Sequence, residues 1–256
     1  MCTLILLDRV VPQIPVIAAT NRDEFFARPA AQPVFVPASA GRPAHVAPRD
    51  LDAGGTWMGV NAHGVFVGLT NRPVVEKPAG VRSRGLLVKD ALAQPTAEAV
   101  VAELLRQERV PYAPFNLLAA DGNDTWLVRR TIQGQDVRTL DPGLQVVCNR
   151  DPEDPSSEKV RRIEKQVAGI ELGLSPERLK DELFRVLRSH PSVSNPFENA
   201  CVHTAEYGTR SSSVILLGAA RRAYWYAEGA PCQTEYRDFT ALLDDLRRAG
   251  IEGVST

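Results

Sequence analysis

The chain has few cysteines: four in 256 residues, Cys2, Cys148, Cys201 and Cys232, at wide and irregular spacings. A chain of this length buries a large core without covalent staples, so those spacings suggest neither a disulfide framework nor a zinc knuckle, and no metal ligands are expected. Charge of one sign is also lacking, with 30 Lys and Arg against 31 Asp and Glu and a net charge of −1. Nucleic acids and anionic membranes favour concentrated positive charge, so neither is an expected partner. Long apolar runs are missing as well. No stretch approaches the roughly 20 apolar residues of a transmembrane segment, and the run Thr3 to Leu7 is too short for a signal-peptide core. Together these absences lead us to expect a protein of the reducing cytoplasm. Internal repeats and low-complexity linkers are absent, and the length is compatible with one domain over 1–256.

What is present is a series of short apolar runs. "TLILL" at 3–7 and "VIAAT" at 16–20 flank Pro12 and Pro15 and read as a β-hairpin with a loop longer than the tightest turns. Five prolines between Arg28 and Pro48 suggest an extended surface segment. A second hairpin is expected from "TWMGV" and "VFVGLT" around "NAHG", in which His63 is a solvated turn residue. Helices are predicted near 83–93 and 96–109, capped by Ser83 and Thr96, and two more within 156–189, where Ser175 caps and Pro176 opens the second. Further strands are expected at "FNLLAAD", "TWLVRR", "LQVVCN", "ACVHT", "SSSVILL" and "RAYWYAE", then a helical tail near 240–249. The basic run "EKVRRIEKQ" reads as a solvated helix face. This order points to an α+β fold, a four-layer αββα sandwich of two antiparallel sheets with helices outside.

Polar residues able to do chemistry stand at the ends of these runs: Cys2 before the first, Asn21, Arg22 and Asp23 after the second, Asn71 after "VFVGLT" and Asn149 after "LQVVC". In the first hairpin, an antiparallel pairing brings Cys2 near Asn21, Arg22 and Asp23. Removal of Met1 would leave Cys2 with a free α-amine of unperturbed pKa about 7.7–8.0, able to take the thiol's proton and return it to a leaving amine. Arg22 would favour the thiolate, Asp23 would orient the ammonium, and an asparagine amide could donate to an oxyanion.

"MCTLILL", "AATNRDEFFARP", "AGGTWMGVN", "GVFVGLTNRP", "FNLLAAD" and "YGTRSSSVILL" resemble, in order over nearly the whole chain, the NRDE family, also called the transport and Golgi organisation family. That family resembles the N-terminal nucleophile hydrolases, which implies the same αββα sandwich. More distantly the chain is similar to the bile salt hydrolases and penicillin V acylases. That resemblance implies oxyanion-region roles for Asn71 and Asn149, an aspartate role for Asp23 and a late-arginine role for Arg210. Their early arginine corresponds to Thr20 here, and Arg22 stands in its place.

The expected function is therefore an N-terminal cysteine amidohydrolase, cleaving an amide or a thioester through an acyl-enzyme. Its catalytic candidates are Cys2, Arg22, Asp23, Asn71, Asn149 and Arg210, and Asn21, Trp57 and His203 are the candidates for contact with substrate. No cofactor is required. The resemblance also admits a different class, a non-catalytic protein that binds or moves haem, an acyl lipid or acyl-coenzyme A in the same pocket. The partner is in either case a small molecule, and a homo-oligomer stays open.

Overall fold

The computed structural model describes residues 2–74, 80–150, 154, 156–171, 173, 175–192 and 194–252. Met1, whose removal is expected, lies outside them. By internal contacts the chain forms two compact units, one built from Met1–Arg28 with Gly143–Asp238 and the other from Pro29–Pro142 with Phe239–Thr256.

The first unit carries a six-stranded sheet in the order β10-β1-β2-β11-β12-β13. Its members are β1 (Thr3–Val11), β2 (Ile14–Phe25), β10 (Gly143–Val147), β11 (Tyr207–Leu217), β12 (Arg222–Glu228) and β13 (Arg237–Asp238). Alternate residues Ile5, Leu7, Ile17, Ala19, Val214 and Leu216 meet two helices, α3 (Glu158–Ala168) and α4 (Pro176–Leu187), through Val160, Ile163, Leu179 and Leu183. Those helix positions recur at three- and four-residue spacing, the signature of one buried stripe. Ser157 and Ser175 cap the two helices, and Pro176 opens the second as expected.

The second unit is a seven-stranded meander in chain order. It comprises β3 (Ala30–Val36), β4 (His45–Asp50), β5 (Met58–Asn61), β6 (Phe66–Asn71), β7 (Phe115–Ala120), β8 (Thr125–Arg130) and β9 (Gln135–Thr139). Helices α1 (Arg84–Ala91) and α2 (Ala97–Arg106), capped by Ser83 and Thr96, pack Leu87, Val88, Val100 and Leu104 onto Val67, Leu69, Leu117 and Val128. A last helix, α5 (Thr240–Glu252), contacts β3 and β4. All strand pairings in both sheets are antiparallel. The α+β expectation with two antiparallel sheets holds. No helix among the described residues is long and apolar enough to cross a membrane.

Four local expectations are corrected. The first hairpin is tighter than expected: β1 and β2 extend until only Pro12 and Gln13 separate them, Gln13 takes φ 66°, and a bulge between Asp8 and Val11 absorbs the mismatch. The proline-rich stretch, expected as an extended surface segment, forms two paired strands, with Val46 and Ala47 buried. Pro33 falls where the β3 register shifts between Ala31 and Val34, the one place a residue without an N–H costs the ladder nothing. The stretch "ACVHT" is not a strand; an isolated bridge pairs His203 with Gly208, and the Thr209 amide donates to the Val202 carbonyl at 2.9 Å. Lys159, in the run read as solvated, is 3% exposed.

Candidate functional site

Four neighbouring strands of the first sheet end together. Thr3 lies opposite Asn21, so the ladder continued one step sets Cys2 opposite Arg22. On the other side Leu4 lies opposite Val147, and two steps further along Cys2 is level with Asn149. Residues paired across a sheet share a face, so Cys2 and Arg22 project to the same side. Both are buried, and so is Asn149. The displaced arginine is therefore on the thiol's side of the sheet, and its charge favours the thiolate. Burial is the larger influence and, with Met1 in place, pushes the Cys2 thiol above its ordinary value.

Asp23 projects to the opposite, helix-covered face and is 1% exposed. Thr209 Oγ1 donates to its Oδ1 at 2.6 Å, and Lys159 Nζ from α3 stands 3.6 Å from Oδ2. Its backbone carbonyl accepts from the Tyr207 hydroxyl at 2.9 Å and is approached by the Cys2 thiol at 4.0 Å. Burial raises the Asp23 pKa, and the Lys159 ammonium and the Thr209 hydrogen bond oppose that rise. Lys159 is the site residue that sequence reasoning missed. The signal was there: it lies four residues before Ile163 and so on the buried stripe of α3 rather than opposite it.

Arg210 owes its position to a β-bulge. Thr209 pairs with Asp23 and Ser211 with Arg22, so Arg210 is the extra residue in β11. Its Nε is buried without a hydrogen-bond partner among the described residues. Arg210 and Arg22 both lower the pKa of Tyr226, which burial nonetheless pushes up to about 12. Two guanidinium groups thus act on one hydroxyl beside the strand ends.

Asn21 is committed to structure rather than to a ligand. Its Nδ2 donates to the carbonyls of Leu187 at 2.9 Å and Ala200 at 2.8 Å, tying β2 to the end of α4, so its amide hydrogens are already spent. His203 joins Cys201, Cys232 and His190 instead of the row containing Cys2. Cys148 is buried and its thiol is pushed up to about 11 by desolvation. Asn71 and Trp57 belong to the second unit. Asn71 ends β6 opposite Phe115, and the half-buried Trp57 precedes β5, its carbonyl accepting from the Leu69 amide at 2.9 Å. His63 is exposed in its turn, as expected.

Two antiparallel sheets with helices packed on them make an α+β fold that solved hydrolases share. Solved structures agree at the level of the fold. A variant of the conjugated bile acid hydrolase from Clostridium perfringens superposes with a TM-score of 0.58 at 16% identity, covering 94% of this chain and 93% of that one. A Caenorhabditis elegans N-acylethanolamine-hydrolyzing acid amidase ortholog gives 0.58 at 12% identity over 96% and 97%. Within that fold the chain belongs to the family described as Transport and Golgi organisation 2, which matches residues 1–229. Curated relatives include the Transport and Golgi organization protein 2 homolog of Bos taurus, 26% identical over 79% of this chain and 82% of that protein. The Drosophila melanogaster Transport and Golgi organization protein 2 is 26% identical over 89% and 92%.

Proposed function

We propose that the protein is an N-terminal cysteine hydrolase that cleaves an amide, or a thioester, through an acyl-enzyme on Cys2. The observation that carries the proposal is the juxtaposition of Cys2, Arg22 and Asn149 at the ends of adjacent strands, with a buried Asp23 beside them. Removal of Met1 frees the Cys2 α-amine, which accepts the thiol proton. The thiolate attacks the substrate carbonyl, and the resulting oxyanion takes a hydrogen bond from the asparagine amide of Asn149. One such donor typically contributes about 2.7–4 kcal/mol. The ammonium returns its proton to the leaving group as the carbon–nitrogen or carbon–sulfur bond breaks. Water, deprotonated by the same amine, then releases the acid and regenerates the thiol. Asp23 orients the ammonium, and Arg22 and Arg210 supply positive charge. Both solved proteins of this fold named above carry hydrolase names, one of them an amidase, which supports the reaction class.

A second reading has one observation in its favour. While Met1 stays in place, burial pushes the Cys2 thiol up and disfavours the thiolate, and such a chain would be a binding protein for haem or an acyl-coenzyme A rather than a catalyst. Intact mass and a limiting thiol reagent at neutral pH separate the two. The hydrolase reading expects a mass lacking methionine and first labelling at Cys2; retained Met1, or a Cys2 slower than Cys232, overturns it. The carrier reading expects the Cys2→Ala protein to bind haem or acyl-coenzyme A as tightly as wild type by titration calorimetry.

A further inference from the structure

Outside that row, the first unit gathers two cysteines and two histidines from three separate segments. Cys201 Sγ and Cys232 Sγ stand 3.6 Å apart, and His203 Nε2 lies 3.4 Å from the first sulfur and 3.1 Å from the second. His190 completes the group: its ligand atom, that of His203 and the Cys232 sulfur all lie within 4.8 Å of one another. His190 Nδ1 is 2.8 Å from the Arg188 carbonyl, which leaves Nε2 as the free ring nitrogen. A backbone carbonyl on the far nitrogen is what orients a metal-binding imidazole and fixes its tautomer.

The sulfur–sulfur separation and the two sulfur–nitrogen separations approach a known geometry. With Zn–S of about 2.3 Å and Zn–N of about 2.0–2.1 Å, the edges of a tetrahedral site are about 3.8 Å between sulfurs and about 3.6 Å between sulfur and nitrogen. The segments are also held before any ion arrives. The Cys201 amide donates to the Ser189 carbonyl at 3.0 Å, Arg188 Nε donates to the Pro231 carbonyl at 2.9 Å, and the turn bearing Cys232 is closed by bonds from Gln233 and Thr234 to the Ala230 carbonyl.

We propose that Cys201, Cys232, His203 and His190 form a Zn²⁺ site that clamps the end of α4, the 200–203 segment and the 230–234 turn. Binding displaces one proton from each thiol, so two thiolates and a dication form a neutral centre that tolerates its partly buried setting. The site needs no disulfide, no oxidant and no contribution from Cys2. It does touch the Asp23 network: the Val202 amide, between two of the ligands, donates at 2.9 Å to Thr209 Oγ1, the hydroxyl that holds Asp23. The ion would therefore steady the support of Asp23 from behind.

The test uses the tag-free, full-length, reduced protein. Elemental analysis should find one equivalent of zinc per chain, and Co²⁺ added to the metal-free protein should give thiolate-to-cobalt charge transfer and the intense visible bands of a tetrahedral site. Cys2→Ala should leave both unchanged. Cys201→Ser and His203→Ala should weaken Zn²⁺ binding by more than the roughly 10–100-fold that losing an outer-shell partner costs. Because Cys201 is fully buried and its loss could unfold the chain, His190→Ala, at an exposed position, is the second variant and should weaken binding while the fold is retained. Failure to bind an equivalent of either metal overturns the site. So does Zn²⁺ affinity unchanged in His190→Ala and His203→Ala, or a mass lacking two hydrogens that marks a Cys201–Cys232 disulfide in protein freshly isolated without oxidant.

Discussion

The residue on which the candidate site depends most is Lys159. Its ammonium is the cation that opposes the rise in the Asp23 pKa, and the two form an ion pair with no exposure to speak of. Breaking a buried pair by removing one partner leaves the other charge uncompensated, at a cost of about 3–5 kcal/mol. Lys159→Met should therefore lower the unfolding free energy by about that amount near pH 7, measured by urea denaturation. The pH dependence has a definite sign. Asp23 binds its proton more tightly folded than unfolded, so above the ordinary carboxylate value the folded state holds more protons and stability falls as pH rises toward the raised value. Lys159→Met raises that value further. The variant should therefore lose stability more steeply than wild type between about pH 4 and 7, and parallel slopes for the two proteins would refute the pairing. Little of this was readable from residue identities. A lysine in a run of charges reads as solvated until its place on the stripe with Val160 and Ile163 is known.

At the scale of elements, turns and bulges do the positioning. The bulge in β11 is what lets Thr209 face Asp23 while Ser211 pairs with Arg22, and it sets Arg210 outside the regular alternation. The hairpin that carries Cys2 is fixed at its far end by a close approach: a Cβ on Gly218 would collide with the backbone carbonyl of Gln13, in the two-residue turn between β1 and β2. Gly218→Ala should force that turn to move and cost about 1–3 kcal/mol, the usual penalty for overpacking, with a drop in Tm as the readout. Because the strands are long, the displacement should be felt as faster amide exchange in β1 and β2 before any change at α1 or α2. The elements themselves were largely legible. Ser83, Thr96, Ser175 and Pro176 announced their helices, and the apolar runs announced β1, β2, β6, β7, β8, β11 and β12. The strands missed, β3, β4, β9 and β13, are rich in proline or polar residues, so their pairing depends on neighbours rather than on their own composition.

For the whole molecule, near-neutral charge has a direct consequence. With 30 basic and 31 acidic residues and a pI near 6.4, mutual repulsion between molecules nearly vanishes just below neutrality. Solubility at low salt should pass through a minimum near pH 6.4 and recover on either side, measured as protein left in the supernatant after equilibration.

By itself the sequence determined the α+β class, the antiparallel pairing of its strands and the convergence of Cys2 with the "NRD" triplet, because hydrophobic periodicity and hairpin register are local properties. Tertiary structure alone decided three things. It gave Lys159 its partner in Asp23, it spent the Asn21 amide on two backbone carbonyls, and it brought His190, Cys201, His203 and Cys232, from three segments, to one place. The reason is common to all three: each depends on contacts between segments far apart in the chain, and no periodicity or spacing within a segment records which distant segment it will meet.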